Sequence, residues 1–323
     1  MRDAGSMSFS AVVDIVLDRS VIGGYGSPGL SIRRRLPDWP ADPPRMDGQT
    51  AVVTGATGGL GLAAAEGYAR LGAAVRLVGR DEAKTAKAAA TLAVAVPGAA
   101  LTTSLCDVSS LSSLRAFTEA FDGPLDVLVN NAGVMAPKRT LTSDGIETTF
   151  ATNVIGPFVL TDRLVAHMSN GSRIINVSSG GMYGQRLDGD LQNEHDYKPA
   201  KAYARTKRSE VVLTEIWADR LRDRGVHVHS MHPGWAATPG ITDSLKVFSK
   251  IARPILRTAE QGADTIVWLG SAAEPGSTTG LFWQDRRPRP THLFGLNKET
   301  EADRQRLWDL CVELAGLQDA NAA

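Results

Sequence analysis

The sequence predicts an α/β fold: a doubly wound parallel sheet in a single domain. Three observations carry this. Short apolar, β-branched segments recur along the chain, helical segments separate them, and a glycine-rich turn follows the first of them directly. Strands alternating with helices argue for a parallel sheet covered on both faces.

In order, a proline-rich stretch at 36–44, with Pro37, Pro40, Pro43 and Pro44, closes an N-terminal extension, 1–47. Residues 50–54 read TAVVT, short, apolar and β-branched as a buried parallel strand should be. A small-residue helix over 60–71 follows, closed by Gly72. Next come a strand over 74–78, a helix over 81–96 capped by Asp81, and a strand over 101–105. Further strands are expected at 125–129, 173–177 and 226–230, with helices at 111–121, 146–167 and 203–224, and an amphipathic helix at 297–318. No repeat and no second composition regime interrupts residues 48–323, which therefore read as one domain.

Composition excludes several functions. The chain has 35 basic and 35 acidic side chains, a net charge of zero, so neither nucleic acid nor an anionic membrane is an expected partner. Two cysteines, Cys106 and Cys311, cannot build a disulfide framework and suit a reducing compartment. The apolar run at 9–22 is broken by Asp14, Asp18 and Arg19, and the alanine-rich run at 83–96 carries Lys84 and Lys87, so no membrane span is expected. A cytoplasmic location is the expectation, with a short amphipathic N-terminal helix resting on a surface as the alternative. Glycine is the one surplus: 32 of 323 residues, about 10% against a usual ~7%.

That surplus has a place in the chemistry. Thr54-Gly55-Ala56-Thr57-Gly58-Gly59-Leu60-Gly61 follows the first strand and opens a helix. Glycines there let the backbone turn tightly and approach a pyrophosphate, whose charge the helix N-terminus meets. A dinucleotide site on a Rossmann-type sheet follows from that context. The spacing T-G-x-x-x-G-x-G differs from G-x-G-x-x-G and resembles the cofactor loop of the short-chain dehydrogenase/reductase (SDR) family. At the end of the second strand stand Arg80 and Asp81. An acidic side chain there would hold a ribose 2′-hydroxyl, whereas Arg80 would pair with a 2′-phosphate, so NADP(H) is expected over NAD(H), which stays open.

Further matches lie in the family's order. The resemblance implies that Asp107 and Val108 meet the adenine, that Asn131-Ala132-Gly133 of an N-N-A-G motif shapes the cofactor site, and that Pro233-Gly234 with Thr238 clasps the nicotinamide carboxamide. It covers roughly residues 48–285. Runs at 177–182, 207–217, 231–240, 260–265, 282–288 and 291–293 narrow it towards the dehydrogenase/reductase SDR family member 12 group, with the tail at 297–317 included.

The implied reaction exchanges hydride with a carbonyl or alcohol carbon and needs an acid/base. A tyrosine serves once nearby positive charge lowers its pKa, and a lysine four residues along a helix supplies that charge. Two Tyr-x-x-x-Lys pairs occur, Tyr197/Lys201 and Tyr203/Lys207, where chance gives about 0.14 at this spacing. Pro199 disfavours helix at Lys198, so the first pair cannot share a helical face, and Tyr203 and Lys207 are chosen. The resemblance adds Ser179 as the donor to the substrate oxygen, Ser178 being its neighbour, and Asn153 as the anchor of a relay water. The gap from Ser179 to Tyr203 is long for the family, which makes 185–201 an insertion bordering the substrate.

Two clusters invite a metal and are set aside. His227 and His229 share a strand face but His232 lies beyond the strand, and Asp188, Asp190, Glu194 and Asp196 read as a solvated loop; no metal is expected. A substrate loop is expected at 239–258, where Ile241, Leu245, Phe248, Ile251 and Ile255 recur at helical spacing and pack the core or line an apolar pocket. The expected substrate is a small hydrophobic carbonyl or alcohol. A non-catalytic dinucleotide sensor is the alternative, and a sugar-nucleotide epimerase is disfavoured by the loop spacing. The family resemblance implies a homodimer or homotetramer paired through the helices of Asn153 and Tyr203, unless the tail blocks it.

Overall fold

In the computed structural model, residues 8–187, 189–236, 253–293 and 298–317 are described. Three short helices open the chain: α1 (Phe9–Arg19), α2 (Val21–Tyr25) and α3 (Ser27–Arg33). The doubly wound core then unfolds in order as β1 (Thr50–Thr54), α4 (Gly59–Leu71), β2 (Ala74–Gly79), α5 (Glu82–Ala95), β3 (Leu101–Leu105), α6 (Leu111–Glu119) and β4 (Val127–Asn130). It continues through α7 (Thr148–Phe150), a π turn (Ala151–Ile155), α8 (Gly156–Leu164), β5 (Arg173–Val177), α9 (Pro199–Arg220) and β6 (His227–Met231). Last come α10 (Ala259–Ser271), β7 (Phe282–Gln284), β8 (Arg287–Arg289) and α11 (Glu301–Ala315).

The strands form one sheet in the order β3-β2-β1-β4-β5-β6-β7-β8. Every neighbouring pair is parallel except β7–β8. The chain order reverses between β1 and β4, so the carboxyl ends of those strands open the crevice in which such sheets bind ligands. One core layer sets Ala64, Tyr68, Ala88, Ile266 and Trp268 against one face of the sheet. The other sets Leu114, Phe158, Trp217, Trp308 and Cys311 against the opposite face.

The six long strands and the helices between them follow the apolar pattern closely, with informative departures. Helix α9 starts at Pro199 rather than at 203. Proline suits the first turn, where its missing N–H would be unpaired anyway, and Lys198 before it is extended (φ −125°, ψ 118°). The expected helix over 146–167 is helical from Thr148 to His167, widened into the π turn that carries Asn153. Strands β7 and β8 escape the pattern altogether, because each is three residues long and β8 reads Arg287-Pro288-Arg289.

Between them, Asp285 and Arg286 both adopt positive φ (53° and 55°), the conformation a two-residue hairpin turn requires and side chains resist. Charge holds them there. Asp285 accepts from Arg257 at 2.6 and 2.9 Å and from Arg33 of α3 at 2.8 Å, all three side chains being at most 1% exposed. Arg33 also reaches Asp14 of α1 at 2.7 Å, and Asp14 in turn pairs with Arg289. The N-terminal extension is thereby knotted onto β7–β8. Arg257, within the segment expected as a substrate loop, belongs to this knot; residues 237–252 lie outside the described ones.

Helix α1 turns Ser10 and Asp14 inward and leaves Phe9, Val12, Ile15 and Val16 exposed. Among the described residues no helix is long and apolar enough to cross a membrane. Helix α11, capped by Thr300, buries Leu307, Trp308 and Cys311 against Phe158 of α8 and Trp217 of α9. It packs on the helices that the family resemblance implied for subunit pairing.

Candidate active site

The glycine loop is built for close approach. Gly55 (φ +66°) has the Ala132 backbone 3.0 Å from where a Cβ would stand, and at Gly61 that position lies 2.4 Å from the Gly55 carbonyl and from Asn131 Nδ2. Asn131 staples the loop, donating to the Thr54 carbonyl at 2.8 Å, while Thr54 Oγ1 accepts from the backbone N–H of Asn131 and Ala132. Gly58 at the N-cap of α4 supplies no side-chain cap, so the first-turn N–H groups there, at Gly59, Leu60 and Gly61, have no side chain answering them. Open space surrounds Gly58, and Thr57 packs beside Gly79 at the end of β2. An anion at an uncapped helix start above a bare glycine cradle is what these residues fit.

Around this cradle, Arg80 is exposed at the end of β2 and makes no ion pair with the described residues, whereas Asp81 is engaged as the cap of α5, accepting from Lys84 N at 2.9 Å. Asp107 is pinned by Ser109, and Val108 is buried with its carbonyl against Gly156. Gly133 is exposed near Asn153 and Lys207. The Pro233 carbonyl accepts from Arg257, and Gly234 (φ +77°) has the Arg257 side chain where a Cβ would stand. Thr238 lies outside the described residues.

Next to the cradle the structure gathers Asn153, Ser179, Tyr203 and Lys207. The Tyr203 phenol lies near the Ser179 hydroxyl, and Lys207 Nζ stands 5.5 Å from the Tyr203 ring centre. Ser179 caps the turn Gly180–Gly184, whereas Ser178 is buried and spends its hydroxyl on the Lys207 carbonyl at 2.7 Å. Lys207 Nζ donates to the Val177 carbonyl (2.9 Å) and to Glu210 Oε1 (2.7 Å). Asn153 Oδ1 accepts from Val134 N, and its Nδ2 donates to Val134 O and Thr206 Oγ1, tying the N-N-A-G loop to α9. Tyr197 is drawn away to the Ala136 carbonyl at 2.9 Å.

One electrostatic expectation is overturned. Lys207 does favour the Tyr203 phenolate, as does Ser179, but burial and the Glu210 carboxylate outweigh them and hold the phenol above its ordinary range. Burial opposes the Lys207 charge too, yet Glu210 keeps it raised, and burial pushes Glu210 itself up to about 7. The sequence reading missed Glu210, three residues beyond the lysine it was searching for.

It also missed Tyr25. That ring, from the N-terminal extension, packs on His232 (4.8 Å) and Trp235 (5.6 Å) and against Gly180, next to Ser179. A lone tyrosine some 150 residues before the serine leaves no signal in sequence. His229 is buried within hydrogen-bond distance of Pro275 O and accepts from Trp283 Nε1, and no group of three or more potential metal ligands occurs among the described residues. The segment expected as an insertion meets the 136–149 segment and α9, through Arg139 to Gln192, Glu147 N to Gln192, and Arg205 to Asn193.

Known proteins resemble this chain in sequence and fold. The sequence pattern of the family described as short chain dehydrogenase matches residues 49–246. Dehydrogenase/reductase SDR family member 12 of Bos taurus is 39% identical over 279 residues, 84% of this chain and 87% of that protein. Retinol dehydrogenase 12 of Mus musculus is 31% identical, over 85% and 88%. A crystal structure of an uncharacterized protein from Mycobacterium Paratuberculosis superposes with TM-score 0.70 at 28% identity, covering 86% of this chain and 97% of that one. A short chain dehydrogenase from Burkholderia cenocepacia in complex with NADP does so with TM-score 0.60 at 25% identity, over 74% and 96%. Fold, glycine cradle and sequence agree: the chain belongs to the short-chain dehydrogenase/reductase family, oxidoreductases acting between CH–OH and C=O.

Proposed function

We propose that the protein is an NADP(H)-dependent oxidoreductase for a small hydrophobic carbonyl or alcohol, with Asn153, Ser179, Tyr203 and Lys207 as its catalytic tetrad. The observation that carries this reading is Lys207 Nζ 5.5 Å from the Tyr203 ring centre on one face of α9, with Ser179 near the phenol, beside the glycine cradle. A bound nicotinamide would supply the hydride. In this reading Ser179 and Tyr203 would hold one carbonyl oxygen between two hydroxyl donors, a role that stabilises developing negative charge. Tyr203, protonated at neutral pH, gives its proton to that oxygen in reduction; Lys207 answers the phenolate left behind. Asn153 fixes the loop at Val134 against α9 and so sets the spacing between cradle and tetrad.

The test is a panel of aldehydes and ketones with NADPH, followed by loss of its absorbance. Retinal belongs in it because relatives are named retinol dehydrogenases. Cofactor binding without turnover of any member would favour the sensor. Arg80, without an ion pair among the described residues while Asp81 is occupied as a cap, supports NADP(H) over NAD(H). Arg80→Asp is expected to reduce the NADPH/NADH preference, read as the ratio of the two dissociation constants, by about tenfold or more, equivalent to about 1.4 kcal/mol. An unchanged ratio overturns the assignment.

A further inference from the structure

Glu210 has no role in the tetrad, and stability does not account for it. Its carboxylate lies on the same face of α9 as Lys207, with both side chains about 5% exposed or less, and its second oxygen, Oε2, is buried with no partner among the described residues. A buried ion pair with an unanswered lone pair is a poor stabiliser; an apolar side chain of similar volume there is commonly neutral or better. What the carboxylate does change is the field at Tyr203.

We propose that Glu210 is a positioning residue for proton transfer: as the counter-charge of Lys207 it offsets the field that would draw the proton from Tyr203, and so keeps the phenol loaded for donation to substrate. The inference rests on the proposed role of Tyr203. Removing one negative charge beside a phenol stabilises the phenolate, so the sign is fixed. Glu210 is ionised above about 7, hence throughout the alkaline range in which Tyr203 titrates.

The charges that reach Glu210 are few. On α9 they are Lys207 and, through it, Tyr203. The elements packed on α9 also carry Tyr183, which burial keeps protonated, Glu147, spent on the first turn of α7, and Arg304, paired with Glu215, while burial holds His232 beyond β6 neutral down to about 3.

The experiment needs no substrate. Tyrosinate absorbance is titrated in the protein and in Tyr203→Phe, and the difference reports Tyr203 alone; the same subtraction is made in Glu210→Gln. The Tyr203 midpoint is expected at least about one pH unit lower in Glu210→Gln, while Glu210→Asp, which keeps the charge, stays with the parent. Glu210→Met, uncharged and of similar volume, should follow Glu210→Gln and serves if the latter fails to fold. With any carbonyl that turns over, the alkaline fall of kcat/KM should move by the same interval. An unmoved midpoint overturns the proposal. So does an upward one, which would assign Glu210 only to keeping Lys207 charged. The outcomes stay separable: a shifted titration without turnover of any panel member sinks the oxidoreductase reading, and turnover with an unmoved midpoint sinks this inference alone.

Discussion

Tyr203→Phe is expected to lower kcat by about 10²–10⁴-fold, the usual worth of a positioned general acid, while NADPH affinity measured by fluorescence stays within about twofold. The ring remains, so packing beneath Lys207 is kept and only the phenolic hydroxyl near Ser179 is lost. Tyr197→Phe is the matched control. Its hydroxyl serves the Ala136 carbonyl, outside the tetrad, and turnover should persist. Full activity in Tyr203→Phe would remove the tyrosine from the mechanism and with it the reason for choosing the second Tyr-x-x-x-Lys pair over the first.

Asp285→Asn should destabilise the protein by about 3–5 kcal/mol, the cost of leaving buried cations unanswered, read from a denaturant midpoint. Asparagine tolerates the positive φ of the hairpin turn, so the substitution isolates the charge from the backbone. Arg33 and Arg257 would then face each other without their shared carboxylate. Asp47→Asn, which breaks the exposed Arg45–Asp47 pair, should leave the midpoint where it was. Acid should loosen the same knot. Burial opposes the Asp14 charge, but Arg289 and Arg33 more than compensate and hold its carboxyl down at about 2. Its contribution is therefore present above the ordinary carboxylate range, about 4, and is lost as pH falls from there through about 2. An unchanged midpoint in Asp285→Asn would mean that the extension is held by something other than this knot.

What could be read from sequence was whatever repeats locally. TAVVT at 50–54 coincides with β1, and Asp81 caps α5 as its position before an alanine-rich run implied. Tyr203 and Lys207 fall on one helix because Pro199, which excluded the first pair, also starts α9. What stayed hidden depends on distant partners. Strand β8 carries arginines because Asp14, Asp18 and Asp38 meet them from the extension, and no period in the sequence records that. The field at Tyr203 was misjudged for a similar reason. Spacing revealed Lys207 but could not reveal that Glu210 would be buried against it, nor that burial would raise the phenol. The metal reading of the three histidines was rejected on geometry, but Tyr25 as the neighbour of His232 could not have been foreseen.

The knot of arginines and aspartates also sets an order in time. Asp14 and Arg33 are synthesised early, and their partners Arg289 and Asp285 follow 275 and 252 residues later. Until β7 and β8 exist, Asp14 and Arg33 have only each other, and closing a loop of that length is slow beside forming a strand–helix–strand unit. The leading helices are thus the last part of this fold to settle. A chain cut short after β6 would lose its beginning as surely as its end.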